Sequence, residues 1–394
     1  MNSGSAPGSQ ASLREMNRLR VLDAVGAHVA LTQVEIAEVT GLSAATVSNV
    51  VKELDAAGAV RLAPSIRNGR RAVQVTLAAP EGLLAAIVYG DREVQVAVGD
   101  DPARALQHQR LLLPADHPAD EAMQRGRGLL RDLLEAAGCS LEQVHAVTVG
   151  VPAPIDAVSG QLGAEGILPG WRGVRVAEEM RAELGTPVLV DNTANLAALG
   201  ESRHGALRGI RHGVYLKVAH GTGAGLVLDG EVFRGSSGTA GEIGHVTIDE
   251  LGPVCRCGNR GCLDTYVGAQ ALLDAVRATH GSLSLRDLVS RALDEDPGCR
   301  RVIDDAGRHI GVALAGVVNL LNPEIVVVGG PLSRAGDLLV HPIRETLARC
   351  ALPSAAHSVH VCQGQLADRA EVVGALALAA QARAEEHRAA IAAG

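Results

Sequence analysis

The stretch HGTGAGLVLDGEVFRGSSGTAGEIGHVTIDELGPVCRCGNRGCLDTY, residues 220–266, decides the fold of this chain. It combines a glycine-rich run, a GEIGH segment and a C-x-C-x4-C cluster. Cys255, Cys257 and Cys262 lie among glycines that let the loop bend, and His245 lies ten residues upstream of the first cysteine. Three thiolates and one imidazole fill a tetrahedral zinc shell and leave no open position for water. The sequence therefore predicts one structural zinc ion per chain.

Two other interpretations of these cysteines stay open: a disulfide bond, or three unrelated thiols. A disulfide between Cys255 and Cys257 would close a strained ring. The N-terminal residues do not resemble a secretory signal, so we expect a reducing, cytoplasmic compartment in which zinc is favoured over a disulfide.

The segments GTGAG, GEIGH and CRCGNRGCLDTY are similar to those of the ROK family, which contains bacterial sugar kinases and sugar-responsive repressors. This resemblance implies that His245 binds zinc together with the three cysteines and also lies at the sugar. It implies that Glu242 holds sugar hydroxyl groups. It places a second sugar-binding carboxylate at Asp264, where the family has a glutamate that is one methylene longer.

Composition predicts a soluble globular protein with aliphatic cores. The chain has 394 residues, 47% of them hydrophobic, but only one Phe, one Trp and three Tyr. Its longest apolar runs are far shorter than a membrane span.

Charge is distributed unevenly along the chain. Residues 1–77 carry eight Lys or Arg and six Asp or Glu, a balance of +2, whereas the whole chain carries −8 and the remainder therefore −10. Because an acidic surface repels nucleic acid, we expect any DNA contact to be concentrated on the N-terminal end.

The N-terminal region reads as a disordered tail, residues 1–11, followed by a winged helix-turn-helix domain, residues 12–80. Thr32 and Glu35 form the capping box of a second helix. The first helix should bury one apolar stripe with helical spacing, comprising Leu13, Met16, Leu19, Leu22 and Val25.

A tight turn at Gly41 leads to a third helix that Ser43 caps and that runs to about Ala57. Its anchors against the neighbouring helices are Leu42, Val47, Val51 and Leu54. Small and hydrogen-bonding side chains on the opposite face can approach base edges in a major groove. That predicted DNA face comprises Ser43, Ala45, Thr46, Ser48, Asn49 and Lys52. A three-helix structural module with a solvated face stays open as the alternative.

An arginine-rich hairpin follows, with Asn68-Gly69 suited to a tight turn. Arg67, Arg70 and Arg71 would form a wing that enters a minor groove or grips phosphates. The repressors of the family carry such a winged helix at this position, and its kinases lack it.

The resemblance also predicts that the body is not an enzyme. Where the family's kinases have the aspartate of a D-x-GGT phosphate loop, this chain has Val88, followed at the turn by Asp91-Arg92. Where they have N-D-A-N, it has Asn192-Thr193-Ala194-Asn195. Asn192 can still hold sugar hydroxyls, but Thr193 cannot accept a proton near neutral pH.

The sequence allows two interpretations each for a glycine-rich turn and for the single tryptophan. The turn Gly221–Gly225 can cradle a phosphate or simply tighten successive hairpins. The single Trp171 can stack on a sugar or plug its own loop.

The fold class predicted is α/β: an actin-like ATPase (ribonuclease H-like) duplicated two-lobe body after the winged helix-turn-helix domain. The N-terminal lobe should span residues 83–200, completed by a C-terminal helix of about 371–394. The C-terminal lobe, with the zinc site, should span residues 201–370.

The function predicted is a sugar-responsive transcriptional regulator, most consistent with a repressor. Its partners would be a DNA operator, a sugar or sugar derivative, and its own copies in a homodimer or homotetramer, with no membrane involved. The alternatives are a sugar kinase with an added DNA-binding domain and a regulator controlled by a protein partner.

Overall fold

The computed structural model describes residues 10–26, 30–67, 70–77, 82–114, 116–163 and 168–393. The chain divides into two compact units, which we call the head and the body. The head comprises Met1–Glu81 together with Gln381–Gly394, and the body comprises Gly82–Ala380.

The described residues before position 81 form three helices and a three-stranded antiparallel sheet in the order β1-β3-β2, and the head also includes the end of the last helix. In chain order its elements are α1 (Gln10–Gly26), β1 (Leu31–Thr32), α2 (Gln33–Thr40), α3 (Ala44–Ala56), β2 (Val60–Arg67) and β3 (Arg70–Leu77).

Local side-chain bonds start both short helices of the head. The Thr32 hydroxyl accepts the backbone N–H of Glu35 at 3.4 Å, and the Glu35 carboxylate accepts the N–H of Thr32 at 2.8 Å. Gly41, at φ 70°, ends α2 in a left-handed conformation that glycine adopts without steric cost. Ser43 then caps α3 by accepting the N–H of Thr46 at 3.1 Å. The predicted helix-turn-helix is confirmed.

The apolar stripe predicted for α1 lies on a helix, but it is buried only in its second half. Leu13, Met16 and Leu19 are exposed, whereas the buried residues of α1 lie in its last two turns. Those turns pack against the core that α2, α3 and β3 share, which includes Ile36 and Val75. Spacing alone identifies a face of a helix, but it does not show which turns of that face meet a partner.

The first half of the body is a five-stranded sheet in the order β6-β5-β4-β7-β8, antiparallel from β6 to β4 and parallel from β4 to β8. Its elements are β4 (Leu83–Tyr89), β5 (Glu93–Gly99), β6 (Gln107–Leu112), α4 (Ala119–Ala136), β7 (Val144–Val151), α5 (Val176–Leu184), β8 (Val188–Asn192) and α6 (Thr193–His204).

The second half repeats this pattern in the order β11-β10-β9-β12-β13, again three antiparallel strands followed by two parallel pairings. The repetition confirms the predicted duplicated, actin-like fold. The elements are β9 (Gly213–Val218), β10 (Thr222–Leu228), β11 (Glu231–Phe233), α7 (Asp264–Val267), α8 (Ala269–His280), α9 (Leu285–Leu293), α10 (Pro297–Leu321), β12 (Ile325–Gly329), α11 (Asp337–Cys350), α12 (Pro353–Ser358), β13 (His360–Gln363) and α13 (Ala370–Ala393).

α6 and the body part of α13 pack against both sheets. Leu196 of α6 and Leu376 of α13 join the buried cluster under β4, while Ala197 and Ala377 join the cluster under β9. These two helices therefore connect the halves of the body. No helix within the described residues has both the length and the hydropathy to cross a bilayer.

Candidate functional site

The body contains a cleft of about 940 Å³ lined by residues of both halves. All four residues predicted to bind sugar line this cleft, and so do Val88 and Thr193. The sequence-predicted sugar residues are Asn192, Glu242, His245 and Asp264. The fold therefore brings together residues that lie far apart in the chain.

The predicted zinc ligands form one cluster. The candidate ligand atoms of His245, Cys255, Cys257 and Cys262 all lie within 4.8 Å of one another. The Cys257 and Cys262 sulfurs are 3.6 Å apart, and His245 Nδ1 is 3.6 Å from the Cys255 sulfur. Zinc–sulfur bonds of about 2.3 Å in a tetrahedron require sulfur–sulfur edges of about 3.8 Å. The cluster therefore has the chemistry and dimensions to bind a metal ion such as zinc.

Backbone hydrogen bonds close the loop around this cluster. The Cys255 N–H donates to the Asn259 carbonyl at 2.7 Å, and isolated bridges pair Val254 with Arg260 and Thr247 with Cys262. Burial raises the pKa of the Cys262 thiol to about 12. A bound cation would supply the charge that favours its thiolate.

One short turn carries both a metal candidate and a sugar candidate. Glu242 precedes the 3₁₀ turn Ile243–His245, and both Glu242 and His245 line the cleft. Gly244 between them lies so close to the Thr222 carbonyl that a side chain would not fit. The turn is therefore held against the start of β10, and His245 reaches the cysteines from the wall of the cleft.

Asp264 is buried at the start of α7. Its Oδ1 accepts the Thr222 N–H at 2.9 Å, and its Oδ2 lies 3.5 Å from Nη2 of Arg256. Burial raises the pKa of this carboxyl, and the Arg256 guanidinium opposes the shift. Sequence reasoning did not single out Arg256, although its place between two predicted zinc ligands was a signal that it would project from the same loop.

Asn192 and Thr193 stand at the junction of β8 and α6. Asn192 caps the helix by accepting the Ala194 N–H at 2.7 Å, and its amide donates to the Ala153 carbonyl at 3.1 Å. The Thr193 hydroxyl accepts a hydrogen bond of 2.9 Å from Lys217. A neutral hydroxyl, which cannot accept a proton near neutral pH, therefore stands at the start of α6.

The neighbouring acid, Asp191, is bound within the protein. It is 4% exposed, and its carboxylate accepts hydrogen bonds from Arg234 at 2.6 and 3.0 Å and from Asn195 at 3.0 Å. It is absent from the described lining of the cleft.

Val88, which lines the same cleft, is apolar. Val88 is 1% exposed within β4, and the nearest acid along the chain is Asp91. Asp91 lies 3.3 Å from His220 Nε2 and 3.6 Å from Arg92 Nε.

The glycine run after β9 differs from the predicted turn. Gly221 lies in the turn, but Thr222–Leu228 form β10. Gly225 approaches Ala198 of α6 so closely that no Cβ could be accommodated. Close packing of β10 on α6 is thus a structural reason for this glycine.

Trp171 plugs its own loop. It is 1% exposed, its ring lies 4.9 Å from that of Tyr89, and its indole N–H is 3.3 Å from His117 Nδ1. A side chain enclosed in this way offers no stacking face to a sugar.

The head presents the predicted DNA face on α3. Val47, Val51 and Leu54 are buried, as predicted, and Asn49 and Lys52 are exposed. The wing strands pair Arg67 with Arg70. For the three wing arginines, Arg67, Arg70 and Arg71, the structure describes the backbone, and the predicted turn Asn68-Gly69 lies outside the described residues.

Comparison with known proteins relates both units to characterised families. The ROK family model matches residues 84–382, and the MarR family model matches residues 15–71. A putative xylose repressor of Caldicellulosiruptor sp. (strain Rt8B.4) is 29% identical over 387 residues, which cover 94% of this chain and 97% of that protein. A glucokinase of Halalkalibacterium halodurans is 37% identical over 223 residues, 52% of this chain and 67% of that protein.

One solved structure is similar to nearly the whole chain. The crystal structure of a ROK family transcriptional regulator, a homologue of the E. coli MLC protein, superposes with a TM-score of 0.78 at 25% identity. The superposition covers 97% of this chain and 100% of that one.

Proposed function

The chain belongs to the ROK family, and from that premise we propose that it is a DNA-binding transcriptional repressor whose body binds a sugar without phosphorylating it. The observation that supports the proposal is that a chain with a helix-turn-helix also has a body cleft lined by the four residues predicted to bind sugar and by Val88 and Thr193, neither of which is an acid. The relatives support it, because similarity to the repressor covers nearly the whole chain and similarity to the glucokinase covers about half.

In the head, α3 would enter a major groove and the wing arginines would hold phosphates. Asn49 and Ser48 would read base edges, since amide and hydroxyl groups can pair with them, and Lys52 would contact the backbone. One head makes few contacts, so we propose that a homodimer or homotetramer binds a palindromic operator with two heads.

In the body, Asn192, Glu242, His245 and Asp264 would hold the sugar. His245 turns Nδ1 toward Cys255, so Nε2 is the ring nitrogen that would serve the sugar. A zinc ion on His245, Cys255, Cys257 and Cys262 would have a structural role, because four protein ligands leave no position for a substrate.

The sugar would act as an effector. A ligand that contacts Glu242 could shift the turn Ile243–His245. The loop that carries the three cysteines, residues 254–262, which we call the zinc loop, would then move with it. A ligand changes operator affinity only through its different affinity for the two states, and a coupling of about 1–3 kcal/mol would change that affinity about 5–150-fold.

Operator titrations with and without sugar test this proposal. Operator sites are selected from random DNA, and binding is then measured with each of a panel of monosaccharides and sugar phosphates at millimolar concentration. Glu242→Ala should abolish the effect of the active sugar while leaving sugar-free DNA binding intact. If none of the sugars alters operator affinity, the body is a dimerisation scaffold or a sensor of a protein partner.

A further inference from the structure

Arg256 is a cation that lines the cleft next to Asp264. At the Asp264 position the ROK resemblance implies a side chain that accepts hydrogen bonds from a sugar. Asp264 replaces a glutamate that would reach sugar hydroxyls. Its side chain is 6% exposed, and one of its oxygens is bound by the Thr222 N–H at 2.9 Å. One oxygen of this short carboxylate is thus occupied, and only the other is left to accept a hydrogen bond from a sugar.

Arg256 lies in front of the second oxygen of this carboxylate. The distance from its Nη2 to Asp264 Oδ2 is 3.5 Å, longer than a strong charge-assisted bond, and 43% of the arginine side chain is exposed. Asp264 is its one ion-pair partner among the residues that the structure describes. A guanidinium has five N–H donors, so most of them can serve a ligand in the cleft that Arg256 lines.

The zinc loop fixes the backbone from which Arg256 projects. Its neighbours Cys255 and Cys257 belong to the cysteine cluster, and the Gly258 N–H donates to the Cys255 carbonyl at 3.0 Å. Glu242 also lines this cleft, so a ligand could meet a carboxylate at one point and a guanidinium at another.

We infer that the effector of this chain is an anionic sugar, carrying a carboxylate or a phosphate group that Arg256 binds. This inference rests on the proposed function, because it concerns the ligand of the same cleft. A guanidinium binds planar oxyanions through two parallel N–H bonds, whereas a neutral hydroxyl accepts one weaker bond. Glu242 and Asn192 would hold the hydroxyl groups of the same molecule.

Lys217 is less suited to bind the anion. Glu371 lies 2.7 Å from its ammonium, and the Thr193 hydroxyl accepts another of its protons at 2.9 Å. An anionic ligand at Lys217 would have to displace Glu371, whereas at Arg256 it would add to a single long contact.

Calorimetric titration of the full-length protein tests the inference. Glucose and xylose are each compared with their phosphate ester and with the sugar acid of the same carbon skeleton, at matched ionic strength. Inorganic phosphate alone serves as the probe for general anion binding. We expect at least one acid or phosphate ester to bind about 10–100-fold more tightly than its neutral parent, the effect of one charge-assisted hydrogen-bond pair.

Variants then assign the preference to one residue. Arg256→Gln should bring the acid and its neutral parent to similar affinity, and Arg256→Lys should retain part of the difference. Arg286→Gln removes the same charge from another exposed position of the cleft and should change the preference much less. Zinc content is measured for each variant. If Arg256→Gln loses the metal, two other measurements test the role of Arg256. One is the ranking of ligand affinities in the unmodified protein. The other is Asp264→Glu, in which the longer carboxylate should engage the guanidinium more closely and weaken the preference for anionic ligands.

The outcomes separate this inference from the proposed function. Neutral sugars that bind as tightly as their acids, or equal losses in Arg256→Gln and Arg286→Gln, would overturn the role of Arg256 and leave sugar sensing intact. If no sugar of either kind binds, the inference and the effector part of the proposed function both fail.

Discussion

Lys217 donates a hydrogen bond of 2.9 Å to the hydroxyl of Thr193 at the junction of β8 and α6. Thr193, which we propose lies where a kinase would have its base, is therefore neutral and already bound by a cation. We expect no sugar-dependent ATP hydrolysis with glucose or xylose, because a general base typically contributes about 10²–10⁴-fold to such a reaction. A coupled ADP-release assay measures this, and robust phosphorylation of any hexose would support the kinase alternative.

Placing an aspartate at position 193 should not produce sugar kinase activity. In Thr193→Asp the new carboxylate would lie beside Lys217, which would lower its pKa and weaken it as a base. Val88, where the resemblance implies the acid of the phosphate loop, would still be apolar. The same assay on Thr193→Asp should therefore remain at the protein-free background, and strong turnover by this variant would show that the rest of a kinase site is intact.

The cysteine cluster predicts about one zinc ion per chain. Cys257→Ser should lose the metal and unfold at a lower temperature, because the free energy of metal binding contributes to that of folding. Cys350→Ser is the matched control, since Cys350 is exposed and lies outside the cluster. Metal analysis and thermal melts of the three proteins test this, and an undegraded, aerobically handled sample without zinc would refute the assignment.

The two kinds of DNA contact should respond differently to mutation. Asn49→Ala should relax base preference at one operator position, by about 1–3 kcal/mol. Arg70→Ala and Arg71→Ala should weaken binding to all sequences. Each should also reduce the slope of the logarithm of affinity against the logarithm of salt concentration by about one. Arg125→Ala makes the same change of charge in the body and should leave both quantities unchanged. DNA binding that survives deletion of residues 1–80 would show that the head is not the DNA-binding domain.

The ion pair between Arg234 and Asp191 should contribute to stability. Arg234→Met would leave the buried Asp191 carboxylate without its cation, and because the Arg234 side chain is itself 42% exposed we expect a cost of about 1–3 kcal/mol. Arg203→Met, in the exposed pair Arg203–Glu231 with a contact of 3.2 Å, should cost at most about 1 kcal/mol. Urea unfolding of both variants measures the difference, and equal midpoints would exclude this role for the pair.

Features set by neighbouring residues could be predicted from the sequence. The capping box of Thr32 and Glu35 spans four residues, so the spacing shows it directly. The cysteine cluster spans eight residues and needs one loop to close. The duplicated fold also followed from the sequence, but there the family resemblance supplied what strand and helix periodicity leave ambiguous.

Contacts between distant segments could not be predicted in this way. Glu371 reaches Lys217, and Arg234 reaches Asp191, because the sheets and α6 bring together segments that are far apart in the chain. The exposure of Met16 likewise depends on which turns of α1 meet the core. These outcomes are set by tertiary packing, about which the order of residue types along one segment carries little information.

The enclosure of Trp171 makes the chain its own spectroscopic reporter. Because it is the single tryptophan and lies against Tyr89 in the core of the body, its emission should be blue-shifted in the native protein and should move to longer wavelength when that core opens. The head contributes no tryptophan signal at all. Fluorescence will therefore follow the melting of the body alone, whereas far-ultraviolet dichroism will record both units, and a gap between the two curves would show the units unfolding separately.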